Sequence, residues 1–316
     1  MSERQTGKKW RIPQPLGDIL IACVLVGSIF LVMFAYTGSW PPLVVVESRS
    51  MQHSETESEI GVMDTGDLTM VKMIFSTDDI ITYASGMQDG YSTYGDFGDV
   101  VIYYKGGDKS KTPIIHRAVI FLEANDNGSY SAPELEGLVR GIDYDFDLAN
   151  NTASYITGNI RLHNYGYRGM EVNIPVANML SYMASHGIAA HDGFVTKGDF
   201  NPMVDQIMFN PEPVSFEWVH GVATGEIPWF GILKLFMTGT LPEDTPANSF
   251  LCLWICIGVI VAIPIGGEAY AWRKEKRTKE AEEKPKETPA PVAEEKAAPD
   301  KPEVSSPTEP PEEKKL

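Results

Sequence analysis

Two serines, Ser48 and Ser50, flank an arginine in the stretch VVVESRSMQHSE, directly after a run of β-branched residues. A serine hydroxyl is a weak nucleophile unless a neighbouring base accepts its proton, so these hydroxyls direct attention to the bases elsewhere in the chain. Ser50 follows Tyr36, the end of a long apolar segment, by fourteen positions. If that segment spans a membrane, Ser50 lies at or a little above the membrane surface. A nucleophile held there could reach a peptide bond that emerges from the bilayer.

Histidine is the side chain best suited to act as that base near neutral pH. His116 stands in TPIIHRAVIF, an apolar run of strand character, where an imidazole is either solvated at an edge or hydrogen-bonded. Spacing alone favours a structural histidine with satisfied hydrogen bonds over a catalytic one. His53, His186 and His191 lie in polar or glycine-rich segments and are interpreted as surface residues.

Two long apolar runs without a charge stand near the ends of the chain, from Ile19 to Tyr36 and from Phe250 to Gly267. Each has about the 18 residues that a membrane-spanning helix needs. The first is longer than the apolar core of a cleavable signal peptide, which is usually about 7 to 15 residues. Lysines and arginines precede the first run and follow the second, so both termini are expected to face the cytoplasm.

The formal net charge of the 316-residue chain is −17, and the excess of acid lies in the middle of the sequence. Residues 19–272 hold 11 lysines and arginines against 29 aspartates and glutamates. Such a surface repels phosphate backbones, so nucleic acid is not an expected partner. All three cysteines lie in the predicted spans, so we expect no disulfide and no thiolate metal site in the outer domain. No metal and no cofactor is expected.

Between the spans, short runs of β-branched and aromatic residues predict a mainly β domain; they are LVVVES, LTMVKMIF, DVVIYYKG, IIHRAVIFLEA and ASYITGNIRL. Two segments break this pattern. Residues 174–188 are predicted to form a short helix. Residues 227–239 mix aromatic and aliphatic side chains with one lysine, and two interpretations stay open: ordinary core leading into the second span, or a segment in the lipid headgroup region.

The predicted organisation is a mainly β domain anchored by two transmembrane α-helices. Its parts are a basic cytoplasmic tail (1–18), a transmembrane helix (19–37), an extracytoplasmic domain (38–249), a second transmembrane helix (250–272) and a charged cytoplasmic tail rich in Pro, Glu, Lys and Ala (273–316). The last tail has almost nothing to bury, so it is expected to be disordered.

Four sequence blocks occur in a distinctive order behind the first span. They are Ser48-x-Ser50-Met51, VMDTGDLTMVK with Gly66-Asp67, GDVVIYYKG…TPIIHRAV with His116-Arg117, and VTKGDFNPMVDQ with Asp199 and Asp205. The stretch VHGVATGEIPWFG follows as a candidate last strand. In this order the blocks resemble the type I signal peptidases of the archaeal and endoplasmic-reticulum branch, a Ser-His-Asp group of peptidases. The resemblance covers most of residues 18–240.

The resemblance implies a membrane-bound serine endopeptidase that removes signal peptides from secreted preproteins after small-x-small sites. Ser50 would attack the peptide bond, and His116 would act as general base. Asp205 would orient the imidazolium, with Asp199 as its rival for that place or as a structural support. Without the resemblance, Asp199 would be interpreted as part of an Asx turn and Asp205 as a surface acid. Ser48 would help the Ser50 amide to hold the oxyanion.

The chain departs from the family pattern in two places. Ser-Met is usually followed by x-Pro, whereas this chain reads Ser-Met-Gln-His, which loosens the turn but removes no reacting group. Residues 120–194 form a long insertion between the histidine and aspartate blocks, and the sequence gives it no evident role. Lys72 and Lys105 are the competing bases, because bacterial relatives use a lysine.

The expected partners are secretory preproteins and the lipid bilayer, with the protein translocation machinery as a further candidate. The signal peptide would bind in extended form along an exposed strand edge, for which Val44–Glu47 and Val62–Met73 are the candidates. The expected location is the cell membrane, with the catalytic domain outside. The alternative is a non-catalytic membrane-anchored surface binding protein or an inactive signal-peptidase relative.

Overall fold

The computed structural model describes residues 14–283. The chain divides into two compact units, residues 1–259 and residues 260–316. The described part of the second unit, residues 260–283, is helical throughout. The helices of the described residues are α1 (Gln14–Thr37), α2 (Tyr83–Asp89), α3 (Val176–His186), α4 (Asp205–Met208), α5 (Gly231–Thr238) and α6 (Ala247–Glu283).

Helices α1 and α6 are long and apolar enough to cross a membrane, judged by length and composition. The two apolar runs predicted as spans lie within them. Helix α6 continues beyond residue 272 because the sequence there is rich in good helix formers and in charge pairs one turn apart, such as Lys279 with Glu275 at 2.8 Å. Residues 273–283, expected to be disordered, are therefore helical. The rest of that tail, 284–316, and residues 1–13 lie outside the described residues.

An antiparallel sheet of seven strands, counted over the described residues, forms the centre of the domain. Six strands follow one another in the order β1 (Leu43–Val45), β2 (Leu68–Lys72), β12 (Val219–Ile227), β5 (Val100–Tyr103), β6 (Ile114–Ala124) and β11 (Gly193–Lys197), and β7 (Tyr130–Ser131) pairs with the end of β6. A hairpin of β3 (Ser92–Thr93) and β4 (Asp96–Phe97) precedes β5. These strands confirm the mainly β prediction.

Strand β5 shows how the sheet divides the core. Val101 and Tyr103 pack on one face with residues such as Phe194 and Val222. Val100 and Ile102 face the other side, where they meet Met51, Met63, Val71 and Ala223. Side chains alternate between the faces of a strand, so four consecutive apolar residues serve two cores. Met51, only 1% exposed, fixes the short 3-10 turn Arg49–Met51 to the second of these cores.

The segment predicted as an insertion, residues 120–194, includes a second sheet of β8 (Tyr144–Phe146), β9 (Ile160–Tyr165) and β10 (Met170–Ile174), followed by α3. The predicted helix at 174–188 is confirmed by α3, which ends at Gly187 in the left-handed conformation that favours glycine. Both elements share a hydrophobic core with β6. The insertion is therefore packed against the main sheet.

Helix α5 covers most of the segment for which two interpretations were open. Ile232 and Leu235 are buried in the domain, whereas Phe236 and Met237 are 73% and 85% exposed. The segment therefore contributes to the core and also presents an apolar face outward. Asp67, at the end of the Gly66-Asp67 turn, accepts a hydrogen bond from the backbone N–H of Trp229 (2.8 Å) just before α5. Burial raises the pKa of this carboxyl to about 7.

We expect Met51→Ala to lower the free energy of unfolding by about 2–5 kcal/mol, because it empties a core position that cannot collapse freely. Met51→Leu keeps the volume and should cost less than about 1.5 kcal/mol. Ile60→Ala is the matched control, since Ile60 is 73% exposed in the loop that follows the turn. Urea denaturation of the full-length protein in detergent, followed by tryptophan fluorescence, measures all three; equal losses for Met51→Ala and Ile60→Ala would contradict this role of Met51.

Candidate active site

A buried hydrogen bond joins His116 on β6 to Asp205, the first residue of α4. Nδ1 of His116 lies 2.6 Å from Oδ2 of Asp205. The same carboxylate oxygen accepts hydrogen bonds from the hydroxyl groups of Tyr103 (2.7 Å) and Thr196 (2.7 Å). Burial and the charge of Asp205 raise the pKa of Tyr103 well above its usual value, so its hydroxyl stays a donor. Three strands, β5, β6 and β11, thus hold the carboxylate against the imidazole.

This hydrogen bond decides which nitrogen of His116 is free to act as a base. A carboxylate only accepts hydrogen bonds, so in the neutral imidazole the proton sits on Nδ1 and the lone pair on Nε2. His116 is 5% exposed and lines a large cleft in the domain. The arrangement therefore presents Nε2 as a proton acceptor, with the developing positive charge balanced by Asp205.

Ser50 and Ser48 line the same cleft as His116. Their hydroxyl oxygens lie 3.2 Å apart, and this is the hydrogen bond that the Ser50 hydroxyl makes within the described residues. The carbonyl oxygen of Ser50 accepts a hydrogen bond from the backbone N–H of Phe200 (2.9 Å). Within the described residues, no hydrogen bond joins the Ser50 hydroxyl to His116.

Gly198 allows the serine turn to lie against the histidine. A Cβ at this position would stand 2.5 Å from the Ser50 carbonyl oxygen and 2.9 Å from Nε2 of His116. Neither distance is compatible with ordinary packing, so a side chain here would push the Ser50 turn and the His116 ring apart. Sequence reasoning did not single out this glycine, although the TKGD block contains it.

Asp199 does not contact His116. Its carboxylate receives two hydrogen bonds from Arg117, from Nε at 2.9 Å and from a terminal guanidinium nitrogen at 2.6 Å, and lies 3.1 Å from Nε2 of His53. Burial alone would raise the pKa of Asp199, but the Arg117 guanidinium outweighs it and holds the pKa at about 2. Of the two aspartates expected to compete for the histidine, the structure brings Asp205 to it and gives Asp199 to the neighbouring arginine.

Two side chains beside Asp199 differ from expectation: the surface position predicted for His53 is wrong, and Lys197 was not predicted to belong to the site. His53, expected at the surface, stacks on Tyr167 with ring centroids 4.0 Å apart, and only 13% of its side chain is exposed. Lys197 is 1% exposed and donates hydrogen bonds to the carbonyl oxygens of Gly198 (3.0 Å) and Asp199 (3.3 Å). Burial lowers the pKa of Lys197 to about 8. The lysine in TKGD was the available signal, but its spacing gave no indication of burial.

The two lysines weighed as competing bases lie outside the cleft. Lys72 lines a separate cavity with Tyr91, Asp99 and Glu226. The Lys105 ammonium lies 5.5 Å from the centre of the Phe209 ring and is not among the cleft-lining groups. Among the described residues, His116 and Lys234 are the basic side chains that line the cleft with Ser50, and Lys234 is exposed and pairs with Glu47 at 3.0 Å.

The cleft has a volume of about 1140 Å³ and a largely apolar lining. It runs from Phe30 of α1 along β1 to Ser50 and His116, and α5 contributes Leu233 and Met237. β1 pairs only with β2 among the described strands, so its other side is an open sheet edge. The second edge candidate, Val62–Met73, is wrong as an edge, because β2 within it pairs with β1 on one side and β12 on the other.

We expect Asp199→Asn to lower the free energy of unfolding at pH 7 by about 3–5 kcal/mol, because the buried Arg117 guanidinium loses its counter-charge. The contribution of Asp199 should be present above about pH 4 and be lost as the pH falls towards its folded pKa of about 2. Urea denaturation at pH 7 and pH 3 tests both statements, and the variant should lose less stability than the parent between them. Asp244→Asn is the control, since its pair with Arg49 (3.3 Å) is exposed and worth at most about 1 kcal/mol. A loss of that size for Asp199→Asn would contradict the buried pairing.

Comparison with protein-family models gives no match, and comparison with curated protein sequences gives none either. The functional conclusion therefore rests on the arrangement of these side chains and on the order of the sequence blocks.

Proposed function

We propose that the protein is a membrane-anchored serine endopeptidase of the signal-peptidase I type. The observation that carries the proposal is the 2.6 Å contact between His116 and Asp205 in a cleft that also holds Ser50. A serine, a histidine and a carboxylate are the groups that a serine hydrolase uses as nucleophile, base and orienting acid, and their presence together supports the proposal. The ordered sequence blocks and the two candidate membrane helices support the same assignment.

In the proposed mechanism, the Ser50 oxygen attacks the scissile carbonyl carbon while Nε2 of His116 takes the hydroxyl proton. The imidazolium is stabilised by Asp205. The Ser48 hydroxyl and the Ser50 backbone N–H donate to the oxyanion. His116 then passes its proton to the leaving amine, which breaks the peptide bond and leaves an acyl-serine. Water, deprotonated by His116, attacks the ester and restores the Ser50 hydroxyl.

The proposed substrates are secretory preproteins, cut after a small-x-small site. The apolar cleft extends from the reacting serine to Phe30 of α1, so an apolar segment that leaves the bilayer has a continuous surface to follow. An extended peptide would add to the open edge of β1 and place alternate side chains in the cleft. In this proposal the domain faces the outside of the cell membrane, both termini are cytoplasmic, and the translocation machinery delivers the substrate.

One observation favours the alternative, an inactive relative or surface binding protein. The Ser50 hydroxyl is hydrogen-bonded to Ser48, and no hydrogen bond joins it to His116 in the part of the chain that the structure describes. A binding protein would keep the open β1 edge and the apolar cleft but would cut nothing.

We expect the detergent-solubilised full-length protein to cleave a model preprotein after its small-x-small site. Ser50→Ala, His116→Ala and Asp205→Asn should each reduce the rate by at least about 10³-fold, because each removes a member of one chemical unit. His186→Ala is the matched control and should cut like the parent, since His186 is exposed on α3. Mass spectrometry of the products and the thermal melting of each variant are the measurements. Unchanged cleavage by Ser50→Ala would refute the nucleophile, and a folded parent that cuts nothing would favour the binding protein.

We expect Gly198→Ala to slow cleavage by about 100-fold or more, because displacement of a reacting group by about 1 Å has that effect. The matched control is Gly128→Ala, where a Cβ would meet no atom within 4 Å, although its φ of +77° adds some backbone strain. Thermal melting separates misplacement from unfolding, and labelling by a fluorophosphonate measures the reactivity of Ser50. If Gly198→Ala is labelled as fast as the parent, the glycine has no positioning role.

A further inference from the structure

The tip of the β9–β10 hairpin, residues Gly166–Gly169, reaches from the insertion to the loop that follows Ser50. Tyr167 stacks on His53 with ring centroids 4.0 Å apart. Its hydroxyl also donates a hydrogen bond to the carbonyl oxygen of Gln52 (3.3 Å), two residues beyond the nucleophile. These contacts place the tip beside the loop that follows Ser50, although the two are more than a hundred residues apart in the sequence.

Arg168, at this tip, lies over the ring of Phe200, with its guanidinium carbon 4.2 Å from the ring centre. Phe200 is the residue whose backbone N–H binds the Ser50 carbonyl oxygen (2.9 Å). Arg49, which precedes Ser50, lies over the same ring at 4.8 Å. Two guanidinium groups and one aromatic ring therefore form a platform directly beside the nucleophile.

The two guanidinium groups differ in charge compensation. Arg49 pairs with Asp244 at 3.3 Å. Arg168 is exposed, and no carboxylate of residues 16–280 lies within 4.0 Å of it. The Arg168 guanidinium thus keeps free donors that suit a carboxylate from another molecule.

The platform adjoins the apolar cleft, since Ser50 and Asn201, the sequence neighbours of Arg49 and Phe200, belong to the cleft lining. Arg49, Tyr167, Arg168 and Phe200 are absent from the cleft lining, which runs from Ser50 towards Phe30 of α1. In the proposed binding mode, a peptide whose apolar segment lies between Phe30 and Ser50 continues past Ser50. The residues that follow the scissile bond then cross the platform.

We propose that Arg168 is a specificity-determining residue that binds an acidic side chain within the first few residues after the scissile bond. The inference rests on the proposed peptidase function and deepens it. The insertion would then supply the residue that binds the part of the substrate after the scissile bond. The exposed guanidinium attracts a carboxylate and repels an ammonium at that place. An exposed ion pair contributes little, so the preference is a few-fold and is weakened by salt.

The test uses two peptides that share one signal sequence and cleavage site and differ by Glu or Lys at the second residue after the cut. They compete for the same full-length enzyme in detergent, and product masses give the ratio of their kcat/KM values. The parent should prefer the Glu peptide about 3-fold at low salt and lose the preference at about 1 M salt. Arg168→Ala should abolish the preference, and Arg168→Glu should reverse it. Arg161→Glu, which makes the same charge change at an exposed site on β9, is the control and should keep the parent ratio.

An unchanged ratio in Arg168→Glu overturns the inference while leaving the peptidase intact. An equal change in Arg161→Glu also overturns it, since the effect would then come from total charge. A parent that cuts neither peptide refutes the proposed function and this inference together. Because Arg168 is exposed and outside the reacting groups, the summed rate for both peptides should stay within a few-fold of the parent in every variant.

Discussion

Two neighbouring residues of one strand, His116 and Arg117, place polar groups on opposite sides of a buried sheet, and each must find a carboxylate there. A buried charge or imidazole without a partner is too costly to persist. The segment 199–205 supplies both partners, Asp205 to the histidine and Asp199 to the arginine. The position of this segment is therefore fixed by two contacts, one on each face of β6. The remainder of the candidate site is built on it.

Several contacts extend from that segment to the serine turn. Lys197 holds the carbonyl oxygens of residues 198 and 199, and the backbone of Phe200 holds Ser50. On its other side the turn is fixed by Met51 in the core. The same arginine that binds Asp199 also binds four carbonyl oxygens of residues 93–98, so the β3–β4 hairpin is held to this segment as well. A buried network of this kind leaves few alternative arrangements, so the side chains of the candidate site are held in place.

The sequence allowed the mainly β domain, α3 and the two candidate spans to be predicted, because their patterns are local: β-branched runs, a helical period and long uncharged stretches. It also brought Ser50, His116 and Asp205 into consideration through the order of the blocks. The partners of the two aspartates were not predictable, since both lie in an irregular segment where spacing does not determine direction. The burial of His53 and Lys197 depends on contacts with the insertion, more than a hundred residues away from His53 along the chain. The position of β2 inside the sheet depends on its pairing with β12, which periodicity does not reveal.

The open edge beside the cleft is short. Strand β1 has three residues, which corresponds to about 10 Å of extended chain. On the proposed function, a peptide can pair its backbone with this edge for only a few residues before the bond that is cut. Backbone hydrogen bonds do not distinguish one side chain from another. A pairing of only three residues can therefore recognise only a short stretch of the substrate sequence. An enzyme built in this way would accept many unrelated secreted proteins, provided that each offers an apolar segment and small side chains at the few positions where the edge is in contact.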